Sequence, residues 1–293
     1  MKKEIVSRQY KKRSAFGSMW LQLRKNKGAI IGLVLLLIIV FVALASPFMF
    51  DYKTQIIKNN VRERLQAPSR DHWFGTDDMG RDIFMRVCYG ARYSLAVGVV
   101  AVLFALVVGV TWGAAAGYIG GVFEDITMRI TDIFSSIPSV LMAIAVVSAL
   151  GKSTFNLMLA VGIASTAPFI RVARAAVLTV RGEEYIESAR AIGVPEWQIV
   201  ASHILPNSVS QIIVQATLRV GSAIISAAQL SFLGLGVPAP APEWGGMLAA
   251  GREFIRDYNY MTLFPGLAIM VTVLSLNLIG DGLRDALDPK LKR

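Results

Sequence analysis

Between Glu184 and Pro206 the chain reads EYIESARAIGVPEWQIVASHILP, a polar passage set between long apolar runs. Its first half, Glu183 to Ile192, places Tyr185, Ile186, Ala189 and Ile192 at spacings of three and four, which predicts a short amphipathic helix. Gly193 supplies a helix stop, and Pro195 suits the first turn of a second helix, where its missing N–H costs nothing. That helix carries Trp197, Ile199, Val200 and Ile204, and Pro206 is expected to end it. Such a helix-turn-helix is too short to be a domain. Its apolar face is expected to dock on another protein, which makes the element a coupling device rather than a catalyst.

The flanking composition sets the class. Of 293 residues, 54% are hydrophobic and only 17% charged, well short of the usual quarter, and the mean hydropathy is positive, so the chain reads as a polytopic, all-α membrane protein. A net charge of +10 raises nucleic acid as a partner, but the basic residues sit beside apolar runs and form no aromatic-laced stripe; they read as membrane-flanking charges. One cysteine, Cys88, excludes an internal disulfide and a multi-cysteine metal site, and two isolated histidines, His72 and His203, add no ligand spacing.

Six transmembrane helices are expected. Residues 1–27 are basic and read as cytoplasmic by the positive-inside rule. Residues 28–50 carry no charge and make the first transmembrane helix, too long for a signal-peptide core. Residues 51–92 fall outside by parity, although Lys53, Lys58, Arg62, Arg64, Arg70, Arg81, Arg86 and Arg92 stand against that side of the rule. Residues 93–293 hold five further spans. The second, about Ser94 to Gly121, has Gly109, Gly113 and Gly117 on one stripe, where small residues let a neighbouring helix approach. Glu124, Asp125 and Arg129 mark a short turn, and the third span follows Asp132 and ends at Gly151.

Gly151-Lys152-Ser153-Thr154 imitates the end of a phosphate-binding loop but lacks the earlier glycine, Val146 standing there, and the preceding strand; it reads as a hairpin. The fourth span runs from about Ser153 to Ile170, with Arg171 and Arg174 as its anchor. The cytoplasmic loop 178–206 follows. The fifth span is interrupted by Arg219, either an ionisable group facing a translocation path or an arginine snorkelling from a span that begins nearer Val220. Pro238, Pro240 and Pro242 break the helix outside the membrane. The last span, about Asn259 to Gly280, precedes a C-terminus ending in Lys290, Lys292 and Arg293, cytoplasmic by parity.

Several passages carry a family resemblance. Glu187-Ser188-Ala189, Gly193 four residues on and Ile204-Leu205-Pro206 resemble the EAA loop of ABC-importer permeases, E-A-A-x-x-x-G followed by I-x-L-P. Ser188 replaces an alanine of that pattern, and Ile204 directly abuts Leu205. His72-Trp73-Phe74-Gly75-Thr76-Asp77-Asp78-Met79-Gly80-Arg81-Asp82, the Leu230 to Gly236 run and the Asp281 to Pro289 ending resemble signatures of the peptide and nickel branch. Physically the first of these reads only as a turn-rich cap.

The chain thus looks like the C-type permease subunit of a dipeptide or oligopeptide ABC importer. The resemblance implies a type I importer fold, a homologous permease as heterodimer partner, two ATPase subunits and an extracytoplasmic substrate-binding protein, in a bacterial plasma membrane. It implies no cofactor on this chain, ATP and Mg2+ belonging to the ATPases. Coupling residues would be Glu184, Glu187, Ser188, Ala189, Ala191 and Gly193, with Leu205 and Pro206 fixing the exit; Glu187 would make polar contacts to the ATPase and Ala189 would allow its close approach. The expected span cores hold no carboxylate or histidine to carry a coupling ion, which disfavours an ion-driven carrier, and no Walker motif supports ATP hydrolysis. A nickel or glutathione permease and a membrane scaffold are the other readings.

Overall fold

A computed structural model describes residues 20–287, which are helical throughout apart from connecting segments and one isolated bridge, Thr76 to Asp82. The basic residues 1–19 and the expected cytoplasmic end, with Lys290, Lys292 and Arg293, lie outside the described residues.

Helix α1, Lys27–Met49, begins where Asn26 Oδ1 accepts a hydrogen bond from Ala29 N at 3.1 Å, and it matches the expected first span. Helix α2, Ile83–Ile119, starts well before Ser94, because the Asp82 side chain caps it by accepting from Met85 N at 2.9 Å. Its 37 residues make a rod of about 55 Å, longer than a hydrocarbon core of about 30 Å.

The third crossing departs from expectation. Glu124, Asp125 and Arg129 belong not to a turn but to a helix, α3 (Gly121–Ser136), which meets α4 (Ser139–Leu150) at 90°. Pro138 is the cause: it forces Ile137 into extended backbone (φ −90°, ψ 126°) and has no N–H to continue a helix.

Helix α5, Thr154–Arg181, does not stop at Ile170. Arg171 Nη2 donates to Asp132 Oδ1 at 2.7 Å and Arg174 pairs with Glu124, so both charges are met by α3 without leaving the helix.

Two short helices follow, α6 (Glu184–Ala191) and α7 (Glu196–Ile199), and then α8 (Leu205–Phe232). Pro206 does not end a helix, and the helix that carries the fifth span begins at Leu205, well before Val220. A π-helical turn, Val200–Ile204, joins α7 to α8 with Leu205 N bonded to Val200 O, and this wider turn lets the pyrrolidine ring follow without breaking the rod. Helices α9 (Trp244–Gly251) and α10 (Tyr260–Leu287) complete the described chain.

Five helical segments are long and apolar enough to cross a membrane, and the bent α3–α4 pair makes a sixth crossing by composition. Packing fixes the parity. Asn26 Nδ2 donates to Asp285 Oδ2 at 3.1 Å, so the start of α1 and the end of α10 share one face, which requires an even number of crossings. The bent pair therefore counts as a crossing.

The central seam lies between α2 and α5. The expected glycine stripe faces it: a Cβ on Gly113 would sit 2.3 Å from Ile170 O, and one on Gly109 would sit 2.5 Å from Phe169 Cβ. Around this seam Val97, Ala101, Ala105, Val147, Leu157, Phe169 and Leu230 are buried together, drawing α4 and α8 onto the pair. Gly113→Val is expected to destabilise the solubilised permease by about 1–3 kcal/mol through overpacking. Thermal unfolding in detergent checks this, with the exposed Val107→Leu expected to leave stability unchanged.

Candidate functional site

The segment from α6 to the π turn is built in two faces. Inward, Ile186, Ala189, Ile199 and Ile204 are buried with Val177 and Val180 of α5, and Ala114 and Tyr118 of α2 pack beside them. At this aqueous end, fully burying an isoleucine contributes about 2 kcal/mol each, so the loop is pinned to the ends of the two central helices. The apolar periodicity read in the sequence thus serves mainly the chain's own packing. Ala189 in particular is buried in this cluster.

Outward, Glu184, Tyr185, Glu187, Ser188, Ala191, Ile192, Gly193 and Trp197 are exposed, Ile192 at 81% and Trp197 at 73%. These two large apolar side chains and Tyr185 make an exposed apolar rim on the segment, interspersed with the carboxylates of Glu184 and Glu187. Ser188 Oγ donates to Glu184 O at 2.9 Å, which keeps its hydroxyl on its own helix.

Gly193 sets the angle between the halves. Its φ of +80° lies in the left-handed region, Val194 N donates to Ala189 O at 3.1 Å and Gly193 N to Arg190 O at 2.9 Å, the two bonds of a Schellman ending. Arg190 Nε then donates to Glu196 Oε1 at 3.0 Å across the corner. Arg190 and Arg181 both lie over the Tyr118 ring, at 6.0 and 5.9 Å, and Arg181 Nη1 also reaches Gly117 O at 3.2 Å. Leu205 is half-buried and Pro206 exposed at the root of α8. Arg219 lies far from this element, mid-way along α8, half-buried and in none of the ion pairs found among the described residues.

The opposite face carries a second construction, which the sequence presented only as a turn-rich cap. Asp77 Oδ1 accepts from Met79 N and Arg81 N, both at 2.9 Å, and its Oδ2 accepts from Arg81 Nε at 2.8 Å and lies 3.5 Å from Arg86 Nε. Asp82 caps α2 and meets His72 Nδ1 at 2.8 Å. Two of the arginines that strained the charge rule are thus held by one carboxylate. Burial and the adjacent Asp77 carboxylate raise Asp78 above the usual carboxylate range.

Sequence reasoning missed Glu243, which is only 2% exposed. It accepts from Gly245 N and Gly246 N at the start of α9, both at 2.8 Å, from Ser231 Oγ of α8 at 2.8 Å and from Ser94 Oγ of α2 at 3.4 Å. Its position two residues before a Gly-Gly pair, just after a proline run, was the available signal for a capping carboxylate.

Residues 109–293 match the family described as the binding-protein-dependent transport system inner membrane component, and residues 14–68 match the N-terminal TM domain of oligopeptide transport permease C. The dipeptide transport system permease protein DppC of Alkalihalophilus pseudofirmus is 49% identical, over 97% of this chain and 93% of its own. The oligopeptide transport system permease protein OppC of Bacillus subtilis is 40% identical over 94% and 91%. The glutathione transport system permease protein GsiD of Pectobacterium atrosepticum is 42% identical over 96% and 93%. In three dimensions the chain is similar to one from inward facing conformations of the MetNI methionine ABC transporter. The TM-score is 0.59 at 18% identity, over 70% of this chain and 98% of that one, a likeness of fold. With the paired helical arrangement and full-length identity in agreement, this chain belongs to the binding-protein-dependent transport system inner membrane component family, the membrane-spanning permeases of ABC importers.

Proposed function

We propose that this chain is one of two homologous permease subunits of a bacterial plasma-membrane importer for di- or oligopeptides, and that it couples to a cytoplasmic ATPase through the α6–α7 element. The observation that carries the coupling assignment is the exposed rim of Tyr185, Ile192 and Trp197 on an element whose inner face is already buried. Large aromatic and aliphatic side chains held outward on a rigid base are what a protein interface uses as anchors.

In this reading the α6–α7 face, shared with the start of α1 and the end of α10, is cytoplasmic, as the basic residues 1–27 favour. Two ATPase subunits bind there, carrying ATP and Mg2+, and a substrate-binding protein docks on the opposite face. Glu184, Glu187 and Ser188 supply polar contacts beside the aromatic rim, Ala191 lies at its edge, and Gly193 holds the corner. Leu205 and Pro206 pass the movement into α8, on which Arg219 is the charged candidate for the translocation path. The permease would be a two-state element biased by ATP on one face and by the binding protein on the other. Peptides are favoured as substrates by the names of the two relatives above, while the glutathione permease keeps a short modified peptide within the same reading.

Site-specific crosslinking tests the coupling surface. In a Cys88→Ser background, Ala191→Cys is expected to crosslink to a co-expressed ATPase with a yield that changes on adding ATP. The same experiment at Ala189 is expected to give none, because that side chain faces inward. Equal yields at both positions, or none at either in an assembled complex, would overturn the assignment.

Gly193→Asp places a side chain at φ +80°, a strain of about 1–2 kcal/mol on the corner. The variant is expected to insert and assemble normally and to lose ATP-dependent peptide uptake. Uptake at the wild-type rate would remove Gly193 from the coupling mechanism.

A further inference from the structure

On the face opposite the α6–α7 element, a cleft of about 350 Å3 opens between the Asp77 cap, the α4–α5 hairpin and the proline loop around Pro240. Arg81, Arg86 and Lys152 line it, against a single carboxylate, Asp77. That carboxylate is already committed, with Oδ1 taken by two backbone N–H groups and Oδ2 shared between Arg81 Nε at 2.8 Å and Arg86 Nε at 3.5 Å.

Arg86, which meets Asp77 only at 3.5 Å, is left short of hydrogen bonds. It is only 4% exposed, its Nη1 donates to Ile56 O at 2.7 Å and to Pro240 O at 3.5 Å, and its buried Nε has no hydrogen-bond acceptor. Lys152 stands exposed on the hairpin and takes part in none of the ion pairs found among the described residues. A buried guanidinium with an unused donor, beside a free ammonium and a space several times the size of a carboxyl group, is an incomplete charge arrangement.

We infer that this cleft receives a carboxylate arriving from outside the cell, with Arg86 and Lys152 as its cationic partners. The inference rests on the importer reading above, which places this face outward. Two sources share the chemistry: the C-terminal carboxylate of a peptide being handed over, and an acidic side chain of the docked binding protein. The planar fork of Arg86 suits either, and Lys152 at the mouth adds attraction at a distance.

The test uses the complete complex of both permeases and both ATPases in nanodiscs. Lys152→Glu is the variant, since Lys152 is exposed and its replacement leaves the fold intact, and Lys152→Arg is the conservative control. Two affinities are measured: that of the peptide-free binding protein for the nanodiscs, and that of a labelled tripeptide, alongside its C-terminal amide, with no binding protein present.

Lys152→Glu is expected to weaken one of them about tenfold, with Lys152→Arg close to wild type. Loss confined to the binding protein assigns the carboxylate to that partner. Loss for the free tripeptide acid but not for its amide assigns it to the substrate. Both affinities unchanged, in nanodiscs that hydrolyse ATP as the wild type does, overturn the inference. Wild-type nanodiscs in which the binding protein neither binds nor stimulates ATP turnover would instead overturn the importer reading on which it stands.

Discussion

The close approach of α2 and α5 is the constraint on which the remaining architecture depends. Lipid offers no hydrophobic drive for two apolar helices to pair, so association must come from contact at short range. Gly109, Gly113 and Gly117 bring one backbone against the other, and Gly162 returns the favour from α5, where a Cβ would lie 2.8 Å from the Phe104 ring. Everything attached to this pair inherits its geometry. The α6–α7 element rests on the ends of both helices, α3 is tied to α5 by two ion pairs, and α8 closes over the seam.

A different force governs the two ends. Where the chain meets water, burial of apolar area is effective again, and the structure uses it to clamp Ile186, Ile199 and Ile204 beneath the loop. At the other end charge and hydrogen bonding do the corresponding work, through Asp77, Asp82 and Glu243, each of which gathers donors from separate segments. The permease therefore has a lipid-packed middle between one apolar clamp and one polar one. An exposed greasy rim and an unsatisfied basic cleft occur on these two ends, where partners would have access.

Much of this was legible in the residues. The uncharged run 28–50, the glycine stripe and the Gly193 corner all appear where their chemistry demanded. What failed did so for local reasons. The α2 start was set by the Asp82 cap, which lies upstream of the two charges, Arg86 and Arg92, that precede the uncharged run. The helix continues past Arg171 and Arg174 to Arg181 because their carboxylate partners, Asp132 and Glu124, distant in sequence, meet both charges in place. Pro206 looked terminal because a π turn leaves no compositional mark. The loop's two faces could not be separated by periodicity, since Ile186 and Ile192 are equally apolar yet one is fully buried and the other stands in the open. The cap's arginines were uninterpretable until Asp77 was placed between them.

The unbroken helical path from Glu196 through the π turn to Phe232 has a mechanical meaning. It is a rod shaped as a lever would be, with its one irregular turn near one end. Beyond that turn, α8 extends about 42 Å, so each degree of tilt pivoting there carries Phe232 through about 0.7 Å. A tilt of about three degrees at the short arm would shift the far tip by about 2 Å, and the tip abuts the Ser231–Glu243 bond and the proline loop. Pro206, which the sequence offered as the end of a helix, sits just past this π turn.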